Sequence, residues 1–364
     1  MSKIKVGIIG CGGIANQKHL PALSRRSDVE IVAFCDIIEE RAVKAAKEYG
    51  VPGALVCTDY KELIAIPEIE TVHVLTPNVS HCELTCAALD AGKHVICEKP
   101  MAATPDDAKK MIEARDRSGK LLTIGYQNRY RQDSLTLKSI CEAGGLGEIY
   151  YARAHAIRRR AVPTWGVFPN KALQGGGPLI DIGTHALDLT LWMMDNYKPK
   201  SVMGVSFEKL GRTLGKGEQG NAFGNWDPET YEVEDSAFGF ITMENGAVIY
   251  LEAAWALNSL DIDEAKTSLS GTKAGADMRD GLRINHVVFD KLAVDKPECN
   301  AAGGVAFFEG GAGGRPEDIE ADIFYKAVKG EGELVVKPEQ AYVVTQILDA
   351  IYQSSKTGKA VYFD

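Results

Sequence analysis

Gly10-Cys11-Gly12-Gly13-Ile14-Ala15 is a G-x-G-x-x-A run that follows an apolar strand signal and opens a helix signal. Gly10 permits a tight turn, Gly12 lets the backbone approach a pyrophosphate, and Ala15 lets helix and strand pack closely. The helix start then offers free N–H groups and the positive end of its dipole to phosphate. Asp36 ends the next strand, 26 residues after Gly10, near the ~20 expected of an acid that holds ribose hydroxyls. A carboxylate there repels a 2′-phosphate, so NAD is expected over NADP, although Arg41 could still cradle that phosphate. A glycine turn that merely packs an α/β domain is the plain alternative. Glu98-Lys99-Pro100 follows another short apolar run. Pro100 pushes Lys99 out of the α region into an extended conformation past a strand end. Burial and a nicotinium charge would lower its pKa toward neutrality, as proton transfer requires; pairing with Glu98 is the structural alternative. Asp181 and His185 are four apart, so on a helix they share a face, with Asp188 next along it. His185 could share a substrate hydroxyl with Lys99 while Asp181 orients it, or Asp181 could cap a helix over a core histidine. The glycine-rich turn before them would let a ligand approach the helix start.

These residues need a scaffold. Strand signals at Lys3–Ile9, Val29–Asp36, Thr71–Leu75, His94–Cys97 and Leu121–Gly125 alternate with helix signals at Ala15–Arg26, Glu39–Tyr49, His81–Ala91 and Pro105–Ser118. That alternation predicts βαβ units and a doubly wound parallel sheet over 1–125. Beyond residue 126 the texture changes. Helices are expected at Leu135–Ala143 and Asp181–Met194, with longer strands at Ile149–Ile157, Lys200–Leu210, Ser236–Met243, Ala247–Ala256 and Thr267–Ser270. Glu244-Asn245-Gly246 is a hairpin signal, so 126–364 is expected as an α+β domain with an open, largely antiparallel sheet. Helices at Asp318–Lys329 and Pro338–Ser355 close it, and Gly211–Pro228 and Cys299–Pro316 are long glycine-rich loops.

Length and composition narrow the function further. The 364 residues suit two domains, and 45% hydrophobic with 25% charged side chains is ordinary for a globular chain. The net charge of −9, from 41 basic and 50 acidic residues, is no footprint of a nucleic-acid binder. No signal peptide or membrane span is expected, and the eight scattered cysteines read as reduced core thiols of a cytoplasmic protein. No cluster has metal-ligand spacing, so no metal is expected.

Five motifs in order resemble the glucose–fructose oxidoreductase / inositol dehydrogenase (Gfo/Idh/MocA) family. They are G-x-G-x-x-A at 10–15, the acid at 36, T-P-N-x-x-H at 76–81, A-G-K-H-V-x-C-E-K-P at 91–100, and Gly175 to Asp188. The resemblance spans essentially the whole chain. It implies a Rossmann domain, a C-terminal α+β domain whose sheet often forms an oligomer interface, and NAD(P)-dependent oxidation of a sugar or cyclitol hydroxyl. Lys99, Asp181 and His185 would be the catalytic constellation. Gly10, Gly12, Gly13, Ile14, Asp36, Arg41, Thr76, Pro77, Asn78, His81, Glu98, Lys99, Gln127 and Trp165 would hold the cofactor, although His81 could equally cap its own helix and Trp165 could be interface packing. Lys99, Asn128, Arg129, Arg158, Asp181 and His185 would face the substrate, although Arg158 sits in a charge run that is usually a solvated face. A homodimer or homotetramer through the C-terminal sheet is expected. Two other functions remain open: a relative that retains NAD and cleaves a glycosidic bond through transient oxidation, and a non-catalytic NAD sensor.

Overall fold

The computed structural model describes residues 3–213, 220–299 and 314–363. It divides into two compact units, Met1–Gln127 with Arg315–Tyr342, and Asn128–Gly314 with Val343–Asp364. In the first unit, β1 (Ile4–Ile9), β2 (Val29–Cys35), β3 (Leu55–Cys57), β4 (Thr71–Val74), β5 (His94–Cys97) and β6 (Leu122–Ile124) form a parallel sheet in the order 3-2-1-4-5-6. Between them run α1 (Leu20–Ser24), α2 (Glu39–Tyr49), α3 (Tyr60–Ile64), α4 (His81–Asp90) and α5 (Pro105–Ser118). Both faces of such a sheet are covered, and β4 is accordingly buried at every position. Local chemistry sets the ends: at α5, Thr104 accepts the Asp107 N–H at 3.2 Å, Pro105 takes the first turn, and Gly119 closes at φ +65°. Strand order reverses between β1 and β4, the crevice where open α/β sheets bind ligands.

Two details differ from expectation. The helix predicted over Ala15–Arg26 begins as a π-helical segment, Ala15–His19, before α1. β3 and α3 were not foreseen, because segments of three and five residues are too short to show a period.

In the second unit, β7 (Ile149–Ile157), β8 (Pro199–Phe207), β9 (Ser236–Met243), β10 (Val248–Ala254), β11 (Asp263–Gly271), β12 (Gly275–Asp277), β13 (Arg283–Val288), β14 (Lys291–Asp295) and β15 (Val361–Tyr362) form one sheet, ordered 14-13-12-11-7-10-9-8-15. The Asn245-Gly246 hairpin joins β9 to β10, with Gly246 at φ +85°. Every pairing is antiparallel except β7 with β10. That exception follows from connectivity. Helices α6 (Gln132–Glu142), α7 (Lys171–Gln174) and α8 (Thr184–Met194) belong to this unit, and the last two lie in the β7–β8 connection, so a helical crossover returns the chain in its original direction. Of the two glycine-rich loops, residues 214–219 and 300–313 lie outside the described residues.

Two helices follow, α9 (Pro316–Val328) and α10 (Pro338–Thr357). A boundary at 125/126, with all that follows in the second domain, does not describe α9. Its Ala321, Phe324 and Tyr325 join the core cluster of Ile8, Leu20, Leu23 and Phe34 in the first unit. Burying Phe324 alone stabilises by roughly 1.5–3 kcal/mol, whereas the exposed Arg25–Asp318 pair contributes about 0–1. Apolar burial therefore anchors the helix. No helix among the described residues is long and apolar enough to cross a membrane.

Candidate active site

The glycine loop combines one steric necessity with open space. A Cβ at Gly10, which has φ +95°, would stand 2.6 Å from the Leu75 carbonyl oxygen. At Gly12 and Gly13 a Cβ would meet nothing within 4 Å, so the space in front of the loop accepts a ligand. Asn16 holds the loop by donating to the Cys11 and Gly12 carbonyls at 2.9 and 2.7 Å. Asp36 is buried and pinned across the loop: Oδ2 accepts the Cys11 N–H at 2.8 Å and Oδ1 the Ile38 N–H at 2.9 Å. Each carboxylate oxygen has two lone-pair sites, so both keep capacity for ribose hydroxyls. Ile37 follows, 89% exposed, with Ile38 partly so, placing apolar surface beside the acid. Arg41 is exposed in the first turn of α2, and Ile14 is partly exposed at the loop. A carboxylate, an open glycine loop and a helix start fit the adenosine and pyrophosphate of NAD.

The T-P-N-x-x-H and E-K-P motifs meet through His81. Its ring is wholly buried, with Nδ1 2.8 Å from the Pro100 carbonyl oxygen and Nε2 2.9 Å from that of Thr76. His81 therefore ties two strand-end loops together. Burial pushes its pKa down, although the two carbonyl acceptors favour the charged form. Pro77 precedes a short 3-10 turn, Asn78–Ser80, in which Asn78 is buried. Lys99 is half-buried beyond β5, and its peptide bond to Pro100 is cis. Glu98 points inward, away from the role of cofactor ligand. Oε1 accepts from Lys18 Nζ at 2.7 Å and lies 2.8 Å from His19 Nε2, while Oε2 accepts the Lys99 N–H at 3.2 Å. Burial pushes the Glu98 carboxyl up, but the Lys18 charge and the His19 bond outweigh it and hold its pKa well below the usual value. Gln127 is half-buried in a 3-10 turn at the end of this unit.

In the second unit, Asp181 lies in a π-helical turn, Leu179–Gly183, and His185 is half-buried in the first turn of α8. Such π segments often mark functional sites. Asp181 Oδ2 accepts the indole N–H of buried Trp255 at 3.0 Å. Of the preceding glycines, Gly176 and Gly177 serve packing rather than ligand approach. A Cβ at Gly176 would stand 2.1 Å from Tyr352 Oη, and one at Gly177 2.2 Å from the Glu234 carbonyl oxygen. The Glu234 carboxylate accepts the Gly177 and Leu179 N–H groups at 2.9 and 3.2 Å and the Tyr352 hydroxyl at 2.7 Å. Burial pushes the Glu234 carboxyl up in pKa.

Other sequence candidates sit as follows. Arg129 is wholly buried, bonded in a fork to Asp188 at 2.9 and 2.6 Å and stacked 5.4 Å from the Trp192 ring centre. A buried guanidinium needs such a partner, so Arg129 and Asp188 form a core ion pair rather than a substrate surface. Asn128 is half-buried beside it. Arg158 makes a bidentate pair with Glu264 at 2.6 and 2.5 Å. Trp165 is 51% exposed and packs edge-on against Phe223 and Phe168. Asn16, Trp255, Glu234 and Tyr352 were missed. Only Asn16, next to the glycine motif, had a local signal; the others meet their partners across long separations. Among the described residues no group of three or more His, Cys, Asp or Glu could hold a metal ion.

Two family models match: an oxidoreductase family with an NAD-binding Rossmann fold over residues 4–126, and a GFO/IDH/MocA C-terminal domain over 134–277. D-glucoside 3-dehydrogenase of Escherichia coli is 37% identical across 99% of this chain and 97% of that protein. Inositol 2-dehydrogenase of Salmonella typhimurium is 33% identical over 58% of this chain and 61% of its own. Levoglucosan dehydrogenase, solved with NADH and levoglucosan, matches with a TM-score of 0.80 at 23% identity, covering 99% of each chain.

Proposed function

Because this chain belongs to the GFO/IDH/MocA oxidoreductase family, we propose that it oxidises a secondary alcohol of a pyranose, pyranoside or cyclitol with NAD rather than NADP. The bound nicotinamide supplies the hydride acceptor, which is the hard part of the chemistry. The residues supply position and proton handling. Asp36, with Gly10, Gly12 and Gly13, binds the adenosine ribose and pyrophosphate, and its carboxylate repels a 2′-phosphate although the exposed Arg41 lies in the next turn. Thr76, Pro77, Asn78 and Gln127 border the nicotinamide end. Lys99 Nζ accepts the proton of the reacting hydroxyl. His185 shares that hydroxyl, and Asp181, held by Trp255, orients it. Arg129 and Glu98 act from inside the two cores. Arg158, paired with Glu264, and Trp165 border the substrate.

The observation that carries this reading is the carboxylate of Asp36 fixed across an open glycine loop, in a sheet whose fifth strand is followed two residues later by Lys99. The relative at 37% identity is named for a D-glucoside, which supports a pyranoside. NADH formation should be followed with glucosides, free sugars, inositols and sugar acids. Stoichiometric NADH with one of the first three supports the reading. Glycoside cleavage without net NADH would identify a transient-oxidation enzyme, and tight NAD binding with no turnover a sensor.

A further inference from the structure

Around Glu98 the first unit buries an array of ionisable and hydroxyl groups whose other members no step above uses. Lys18 Nζ lies between two carboxylates, 2.7 Å from Glu98 Oε1 and 2.9 Å from Glu320 Oε2. Its pKa is raised, because both acids outweigh its burial. His19 Nε2 reaches the same Glu98 oxygen, and its Nδ1 stands 3.0 Å from His73 Nδ1. His73 Nε2 is 2.9 Å from the Tyr325 hydroxyl, which also lies 3.4 Å from Thr71 Oγ1. Lys18, His19, His73, Glu98, Glu320 and Tyr325 are each buried to more than nine-tenths. Gly125 forms part of the wall, since a Cβ there would stand 2.9 Å from Glu98 Oε1.

Desolvating so many polar groups is costly, and a well-packed apolar core would stabilise at least as well. What the array does supply is direction. A carboxylate gripped on one oxygen by two donors cannot rotate, so its other oxygen stays under the Lys99 N–H. We propose that Lys18, His19, His73, Glu320 and Tyr325 are positioning residues that lock the Glu98 carboxylate beneath the Lys99 peptide. The helix α9, which returns from more than 200 residues along the chain, thereby acts on Lys99. Catalytic geometry has to be held by supporting residues to well under an ångström, and this array supplies that support on the amino side of Lys99, as His81 does on the far side of Pro100. The consequence for turnover rests on the proton role given to Lys99 above; the structural linkage does not.

Amide hydrogen exchange tests the linkage without cofactor or substrate. In Tyr325→Phe, which keeps the ring and removes one oxygen, the Lys99 amide should exchange at least ~10-fold faster, while amides of Val95–Cys97 stay within ~2-fold. Glu320→Gln should act in the same way. Unchanged Lys99 exchange in both variants overturns the proposal, and so does equal loosening of the whole of β5, which marks a merely structural role. If Tyr325→Phe does not fold, Glu320→Gln alone decides. With the best substrate, Tyr325→Phe should lower kcat ~10-fold or more, with KM and the NAD dissociation constant within ~2-fold. In a Lys99→Met background the same change should have no further effect, and additive losses overturn the proposal. If Lys99→Met alone retains full activity, the proton role fails while the exchange result stands by itself.

Discussion

A lysine can take a proton from a sugar hydroxyl only where its amine reaches that hydroxyl, and the backbone that carries Lys99 is held on both sides. Glu98 fixes its N–H and His81 fixes the Pro100 carbonyl. General acid–base groups contribute about 10²–10⁴-fold to rate. Lys99→Met keeps the stem volume and removes the ammonium, so turnover should fall by at least ~10² while the NAD dissociation constant changes little, because Asp36 and the glycines lie on other loops. Lys99→Arg should fail similarly, since a guanidinium does not deprotonate near neutral pH. Calorimetric NAD binding beside steady-state rates checks both; a nearly active Lys99→Met would transfer the base to His185, and lost NAD binding would make the lysine structural. Asp36 makes a separate prediction. Hydrogen bonds to a charged group contribute about 1.5–3 kcal/mol, so Asp36→Ala should weaken NAD roughly 10- to 100-fold and narrow or invert its preference over NADP. Equal or better NADP affinity in the unmodified protein would contradict the assignment.

At the scale of elements, legibility followed repetition and locality. Glu39–Tyr49, His94–Cys97, Pro105–Ser118, Ile149–Ile157 and Ser236–Met243 have the bounds that their periodicity and capping residues predict. Short or weakly patterned pieces such as β3, α3 and β12 to β15 carry too little period to read. The motifs located the strand ends but misassigned some of their glycines: Gly12 and Gly13 face open space, whereas Gly176 and Gly177 are filled from across the fold by Tyr352 and Glu234. The membership of α9 in the first core, and the Arg129–Asp188 pair, depend on partners far along the chain. Strand burial also makes a pH prediction. His73, from β4, is pushed well down by burial and by His19 and Lys18, and His94, from β5, is pushed down to about 4 by burial and Lys120. Between the unfolded value near 6.5 and these lower folded values, the unfolded chain binds more protons. Stability should therefore be complete above about pH 7 and fall as pH drops toward 4, by up to ~1.4 kcal/mol per pH unit for each histidine. Melting temperatures from calorimetry at pH 7.5, 6.5 and 5.5 check this, and a flat series would refute it.

For the whole molecule, the sheet of the second unit bears on how many copies work together. Its two faces differ. On one, Ile351 of α10 packs so closely that a Cβ at Gly204 or Gly239 would come within 2.7 Å of its side chain. On the other, Met203, Val205 and Phe207 of β8 are exposed in alternation, Phe240 of β9 stands opposite Met203, and Tyr250 of β10 stands opposite Phe240. The apolar row thus crosses three strands. At the far end of the same sheet the β13–β14 hairpin exposes Phe289 by 95% and Leu292 by 93%, with Phe289 and Asp290 both at positive φ in its turn. Soluble monomers rarely expose contiguous apolar patches beyond a few hundred Å², and closed symmetric pairing is the common way to cover one. A second copy of this sheet is the occupant we propose, giving a homodimer or a homotetramer. A stable pair needs roughly 1,200–2,000 Å² of buried surface, and an apolar row over three strands can form its centre. Light scattering at micromolar concentration should give a mass of two or four chains. Phe240→Asp with Met203→Glu should shift that mass toward one chain, because two like charges opposite each other on adjacent strands would be buried without a counter-charge, while NAD binding in the first unit is retained. A monomer before any substitution, or an assembly untouched by the double change, would refute the sheet-to-sheet contact.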